Sequence, residues 1–304
     1  MMERLRGAVL AQWQELVRLR SDVLKNPEIE DIHDLRVASR RFRAALALFG
    51  PWMPAKKTAG LKKQCRKLTQ LLGSLRNIDE ATVFFRLHTP APSGGGYQIC
   101  RCLAELRPHE LTRIKKFLSA FDDRGNDRVV RKAVAGLQEE RVTDNGSVSL
   151  QTLFSDTGIA LFQPVQDLLP AAASREARKS RHALRIALKK WRYFLEFVAP
   201  VLGCDVSAIL TKLKEYQTIL GRMNDVAEFG TLCTNLKLSR HERRFVESVL
   251  QAEEDLQLKK LTTLIEKKPL TYTSPFETVL PLILKEAQTT YLRPRSGHRP
   301  QEQL

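Results

Sequence analysis

The feature that most constrains this fold is a basic amphipathic segment, residues 175–198. On a helix with 3.6 residues per turn, its apolar and basic side chains separate onto opposite faces. The apolar face consists of Leu184, Leu188, Trp191, Leu195 and Val198, and the basic face of Arg175, Arg178, His182, Arg185, Lys189 and Arg192. Eight Lys or Arg residues and a single acid lie between positions 175 and 192. Because like charges on one face repel, we predict a helix that buries its apolar face and whose basic face is self-repelling unless an anion neutralises it.

The same pattern occurs earlier in the chain, displaced by 149 residues. Residues 32–46 align with residues 181–195, so that His33 corresponds to His182 and Arg36 to Arg185. The other basic positions of the first copy are Arg40, Arg41 and Arg43, which correspond to Lys189, Lys190 and Arg192. A Leu-Gly motif with a short Asn/Asp segment follows each copy, at 71–79 and at 219–226. Two motifs in the same order at nearly one displacement indicate an internal duplication.

Helical periodicity continues over most of the chain, and no segment shows the alternation that is typical of a strand. We therefore predict an all-α protein built as two pseudo-symmetric helical bundles. The predicted divisions are a first half at 1–148, a second half at 149–292 and a disordered basic tail at 293–304.

Several helix boundaries follow from local signals. Gly73 is predicted to end a helix that begins near residue 55, and Pro108 to begin another. In the second half, we predict separate helices at 205–220 and 223–236. Ser239 with Glu242 forms a capping-box pair that starts a long helix. A last helix is predicted at about 275–290.

Composition points to an anionic partner. The net charge of +16 and the pI near 9.9 are typical of proteins that bind nucleic acid, polyphosphate or an anionic membrane. No run of apolar residues approaches the length of a membrane span. Five scattered cysteines favour a reducing compartment, so we expect a soluble, cytoplasmic protein. We expect neither a metal nor a cofactor, because no ligand cluster accompanies His33 or His182.

The repeated basic face has three interpretations. As a phosphate site, its Arg side chains bind phosphate oxygens bidentately, its Lys side chains act as mobile point charges, and its histidines donate N–H groups. A file of cations suits a linear polyanion, whereas a purely structural interpretation makes it a solvated helix face. RNA or DNA binding through the phosphate backbone is the alternative function, although exposed aromatic residues for base stacking are few. Catalysis is not expected, since no phosphate-binding loop, carboxylate cluster or nucleophile motif is present.

The doubled His-x-x-Arg-x-x-x-Arg/Lys-Arg/Lys-x-Arg motif, each copy followed by Leu-Gly, resembles the CHAD family, the conserved histidine α-helical domain. The resemblance covers about residues 3–290. It implies two pseudo-symmetric bundles whose basic helices face a shared central cleft or pore. It also implies binding of inorganic polyphosphate and association with polyphosphate granules, without catalysis.

Carried over position by position, the resemblance predicts the binding residues of both motifs. They are His33, Arg36, Arg40, Arg41 and Arg43 in the first motif, and His182, Arg185, Lys189, Lys190 and Arg192 in the second. Arg178 is added as a binding residue because it lies one turn before His182 on the same helix face. Lys62, Arg66 and Tyr193 are further candidates. Asn77 stands where an acid is usual, and Asp225 is its counterpart in the second half. Both are interpreted as caps of the next helix, with orientation of a basic-face Arg as the alternative for Asp225.

Overall fold

A computed structural model describes residues 1–50, 53, 55–89, 96–137, 140–143 and 146–272 of the chain. Its helices are α1 (Met2–Lys25), α2 (Ile29–Leu48), α3 (Ala55–Leu87), α4 (Tyr97–Ser119), α5 (Asp123–Ala135), α6 (Leu150–Ala172), α7 (Arg178–Leu202), α8 (Ser207–Thr234) and α9 (Arg240–Lys267). The predicted all-α class is confirmed. An antiparallel hairpin of β1 (Glu140–Thr143) and β2 (Gly146–Ser149), which the sequence did not predict, joins α5 to α6. Strands of four residues are too short for alternation to be recognised.

Two predicted helix ends are wrong. The helix α3 runs through Gly73, and α8 runs through Gly221, where separate helices were expected. An interior Gly costs only about 1 kcal/mol relative to Ala, and burial of neighbours such as Leu72 and Leu220 outweighs this cost. Pro108 lies inside α4 instead of beginning a helix.

The capping box at the start of α9 is confirmed. Ser239 Oγ accepts a hydrogen bond from the backbone N–H of Glu242, whose carboxylate accepts one from the backbone N–H of Ser239. The predicted last helix at 275–290 and the predicted tail at 293–304 lie outside the described residues.

The order of the helices follows the sequence repeat. The helix α7 starts 149 residues after the start of α2, and α6 and α8 flank α7 as α1 and α3 flank α2. In space, α2 packs against α1 and α3, and α7 packs against α6 and α8. Contacts between α2 and α7 and between α3 and α8 join the two sets. These contacts place the two basic helices side by side.

The hydrophobic core is continuous across the predicted halves. The ring of Phe49, after α2, lies 5.2 Å from that of Phe197 on α7 and 6.2 Å from that of Phe154 on α6. A smaller core packs Phe84 of α3 on Phe229 of α8, with ring centroids 5.4 Å apart. The division of the chain between residues 148 and 149 stays a prediction. Helices from both predicted halves contribute to the same hydrophobic core.

Candidate functional site

A group of charged side chains lies where α2 and α7 pack together. Arg36 and Arg40 come from α2, and Arg185 and Lys189 come from α7, so each basic motif contributes two cations. Their positive charges act on one another, since Arg40 disfavours the charged forms of Arg36, Arg185 and Lys189. Together with two residues from α3 and α8, they form the central cluster: Arg36, Arg40, Arg76, Arg185, Lys189 and Asp225.

Two arginines of the central cluster are buried. The exposed fractions of Arg36 and Arg185 are 6% and 9%. Among the described residues, neither Nε atom has a hydrogen-bond partner. Burial lowers the pKa of both guanidinium groups, that of Arg36 to about 9, so Arg36 keeps its charge at neutral pH. The sequence pattern gave no sign of this burial, which accompanies the packing of α2 against α7.

Lys189 is the most perturbed cation of the central cluster. Its pKa falls from the ordinary 10.5 to about 6, chiefly because burial removes water from the ammonium group. The charges of Arg185, Arg40 and Arg36 lower the pKa further, and Asp225 opposes them. Positive charge is therefore crowded here beyond what the neighbouring carboxylate neutralises.

Arg76 and Asp225 belong to the central cluster but were not among the predicted binding residues. Arg76 Nη1 on α3 lies 3.4 Å from Asp225 Oδ1 on α8. Asp225 is 9% exposed and stabilises the charged forms of Arg36, Arg185 and Lys189. A signal for Arg76 was present in the sequence, since it lies in the Leu-Gly motif that follows the first basic motif.

The outer basic residues have acidic partners. Arg41 and Arg192 both contact Glu196, at 3.3 Å and 2.6 Å. Arg178 pairs with Glu254 of α9 at 2.6 Å. Acids are scarce within residues 175–192, but the basic face acquires acidic partners at its edges. Glu196 lies just beyond residues 175–192, and Glu254 comes from α9, a helix distant in sequence.

Both predicted histidines are exposed. The ring nitrogen Nδ1 of His182 lies 3.2 Å from Oδ1 of Asn224. A cleft of about 780 Å³ opens beside His182 between α7, α8 and α9, and Arg178 and Glu254 also line it. His33 lies near the start of α2, in the position of the first motif that corresponds to His182.

The remaining predicted residues lie on α2, α3 and α7. Burial lowers the pKa of Arg43, and the charges of Arg40 and Arg66 lower it further, which places these three cations near one another. Lys62 of α3 lies beside Gly50, just after α2. Lys190 and Tyr193 line a largely apolar groove of about 310 Å³ between α2, α6 and α7. Tyr193 also interacts electrostatically with Arg36.

A family model described as the CHAD domain matches residues 7–234. The chain belongs to the CHAD domain family. This family is linked to polyphosphate binding. Comparison with curated proteins gives no sequence match.

Two solved structures share the CHAD fold with this chain. The crystal structure of the CHAD domain from the plant Ricinus communis is 20% identical in sequence and superposes with a TM-score of 0.66, covering 90% of this chain and 93% of that one. PptA from Streptomyces chartreusis is 16% identical and has a TM-score of 0.62, covering 88% of this chain and 99% of that one. At these identities the likeness concerns the fold alone.

The chemistry available to this CHAD domain is that of cations held in place. In the described part of the chain, no group of three or more His, Cys, Asp or Glu side chains is arranged to hold a metal ion. No described helix combines the length and apolarity needed to cross a membrane. What the central cluster offers a ligand is fixed guanidinium donors and a net positive field, the features that phosphate oxygens bind.

Proposed function

We propose that this protein binds inorganic polyphosphate through the central cluster and does not catalyse its turnover. The observation that carries the proposal is the pair of buried arginines, Arg36 and Arg185, one from each basic motif. A buried guanidinium group is costly unless it is paired and fully hydrogen-bonded. Phosphate oxygens entering between α2 and α7 would bond the Nε groups and neutralise the crowded charge.

The arrangement favours a chain of phosphates over a single phosphate. From Arg178 to Arg192 the cations of α7 extend over about 21 Å at 1.5 Å per residue. The outer members, such as Arg192 and Arg178, are paired with acids and would exchange these partners for phosphate. A linear polyanion can contact the central cluster and the outer cations at once, which raises its effective affinity.

The protein is further proposed to associate with polyphosphate granules and to have no catalytic role. Association with polyphosphate granules follows from binding long chains and from the family resemblance. Within the described residues, two carboxylates near the cations are engaged in ion pairs, Asp225 with Arg76 and Glu254 with Arg178. Such carboxylates are poorly suited to gathering the divalent ions that phosphoryl transfer uses.

A competition titration tests the proposal. The protein, bound to labelled long-chain polyphosphate at fixed salt, is challenged with unlabelled polyphosphate, single-stranded RNA and duplex DNA. We expect polyphosphate to compete best, because nearby aromatic surface for base stacking is limited to residues such as Tyr193. The double substitution Arg36→Gln and Arg185→Gln should abolish tight binding, whereas Arg128→Gln on the exposed face of α5 should not. Stronger competition by RNA or DNA, or unchanged binding by the double variant, would contradict the proposal.

A further inference from the structure

The two basic motifs differ in one chemically important position of the central cluster. The first motif has Arg40 where the second has Lys189. A guanidinium group keeps its proton throughout the physiological pH range, whereas a lysine amine in a crowded site loses it readily. The second motif therefore contains a titratable group where the first has a permanent charge.

The surroundings of Lys189 disfavour its ammonium form. Arg185 lies one turn earlier on α7, and the packing of α2 against α7 brings Arg36 and Arg40 close enough for their charges to act on Lys189. On α8, Asp225 is the carboxylate that acts on Lys189, and it is shared with Arg76 of α3. Lys189 is also partly buried. Three cations thus oppose one shared carboxylate around this amine.

We propose that ligand binding is proton-linked: Lys189 Nζ is largely neutral in the free protein near neutral pH and takes up a proton when phosphate oxygens enter the central cluster. The proton comes from solvent, and an N–H bond is the only covalent bond formed. This inference rests on the polyphosphate-binding function proposed above, and it adds a dependence on pH to that site. The positive charge on Lys189 is then present only when the ligand is bound.

The consequence for affinity has a definite sign. In the free protein the pKa of Lys189 is about 6, and bound phosphates raise it by stabilising the ammonium form. Between these two values the complex holds one more proton than the free protein. Affinity should therefore rise about tenfold for each pH unit as pH falls from the bound-state pKa toward about 6. Below about pH 6 the dependence should level off, because the free protein is already protonated there.

Calorimetry measures the proton directly. Long-chain polyphosphate is titrated into the protein near pH 7.5 in two buffers of different ionisation enthalpy, and the difference in heat gives the protons taken up per binding event. Long chains are used because their few ends contribute little titration of their own. We expect the wild type to take up about one proton more than Lys189→Arg and Lys189→Met. The matched control Lys259→Arg, at an exposed lysine of α9, should behave as the wild type.

The outcomes separate this inference from the proposed function. Tight binding with equal proton uptake in the wild type and both Lys189 variants would overturn proton linkage and leave polyphosphate binding intact. Absence of tight binding by the wild type at any pH would overturn the proposed function itself. If one Lys189 variant fails to fold, the other carries the comparison.

Discussion

Arg76 and Asp225 are 149 residues apart in the chain, yet Arg76 Nη1 lies 3.4 Å from Asp225 Oδ1. The contact joins α3 to α8 beside the basic helices α2 and α7. Asp225 also stabilises the charged forms of Arg36 and Lys189, so it acts as an internal counter-ion for the central cluster. Under the proposed function, a bound phosphate chain would have to compete with this carboxylate for the same cations.

Removing the negative charge of Asp225 should tighten polyphosphate binding and lower the stability of the fold. We expect Asp225→Asn to bind polyphosphate more tightly, because it removes a negative charge that repels the ligand. Its unfolding free energy should fall by on the order of 1–3 kcal/mol, since the partly buried cations lose their partner. Denaturant melts and equilibrium titrations check both effects. The control is Asp255→Asn, at the exposed pair with Arg175, where a change below about 1 kcal/mol is expected. Weaker binding by Asp225→Asn would show that this carboxylate supports the ligand.

Salt dependence should report individual phosphate contacts. Each ligand contact that displaces counterions steepens the fall of log K with log salt, with a slope of about −0.9 per contact for duplex DNA as a rough guide. We expect Arg36→Gln and Arg185→Gln each to reduce the magnitude of the slope by about 1. Titrations at several salt concentrations measure it, and Arg128→Gln should leave the slope unchanged. An equal slope in the wild type and all three variants would exclude the two buried arginines as phosphate contacts.

Chain length should matter if the two basic motifs act on one ligand. Substituting Arg36 and Arg40 with Gln should weaken long-chain binding about as much as substituting Arg185 and Lys189. Short polyphosphates that reach only part of the basic surface should bind less tightly, because they lose the linked contacts. Titration of a series of polyphosphates of defined length checks this. Affinity that does not change with length, together with a silent pair of substitutions, would indicate that a single motif suffices.

The free protein should become more stable as pH rises. Between pH about 6 and about 10.5, the unfolded chain carries a proton on Lys189 that the folded protein lacks. The unfolding free energy therefore increases with pH over this window and is lowest below it. Denaturant melts at several pH values should show a shallower increase for Lys189→Met than for the wild type. Parallel curves for the two proteins would contradict a low pKa for this amine.

Truncation of the buried aromatic face should damage stability and leave the binding surface chemically intact. Trp191 is fully buried, and its ring lies 4.6 Å from that of Phe162. We expect Trp191→Ala to lower the unfolding free energy by roughly 3–5 kcal/mol through loss of packing. Ile186→Ala, at a 40% exposed position of the same helix, should cost far less. Chemical denaturation of the two variants tests the contrast.

The sequence predicted the helical class and the paired basic motifs, because periodicity and the 149-residue displacement are local, countable patterns. It did not predict the burial of Arg36 and Arg185, since burial depends on α2 packing against α7. It also missed the partners that come from distant helices, such as Glu254 for Arg178. The predicted break at Gly73 failed for a related reason, because the apolar neighbours of this glycine are held by tertiary contacts.

The contacts of Phe49 with Phe154 and Phe197 tie α2 to both α6 and α7. Separating these helices to admit a ligand would break the aromatic contacts, which opposes such an opening. A site formed between such helices would select its ligand by the cross-section of the molecule that enters. Under the proposed function, a slender, unbranched phosphate strand would enter between helices that are already packed together, and the protein would lose little conformational entropy on binding.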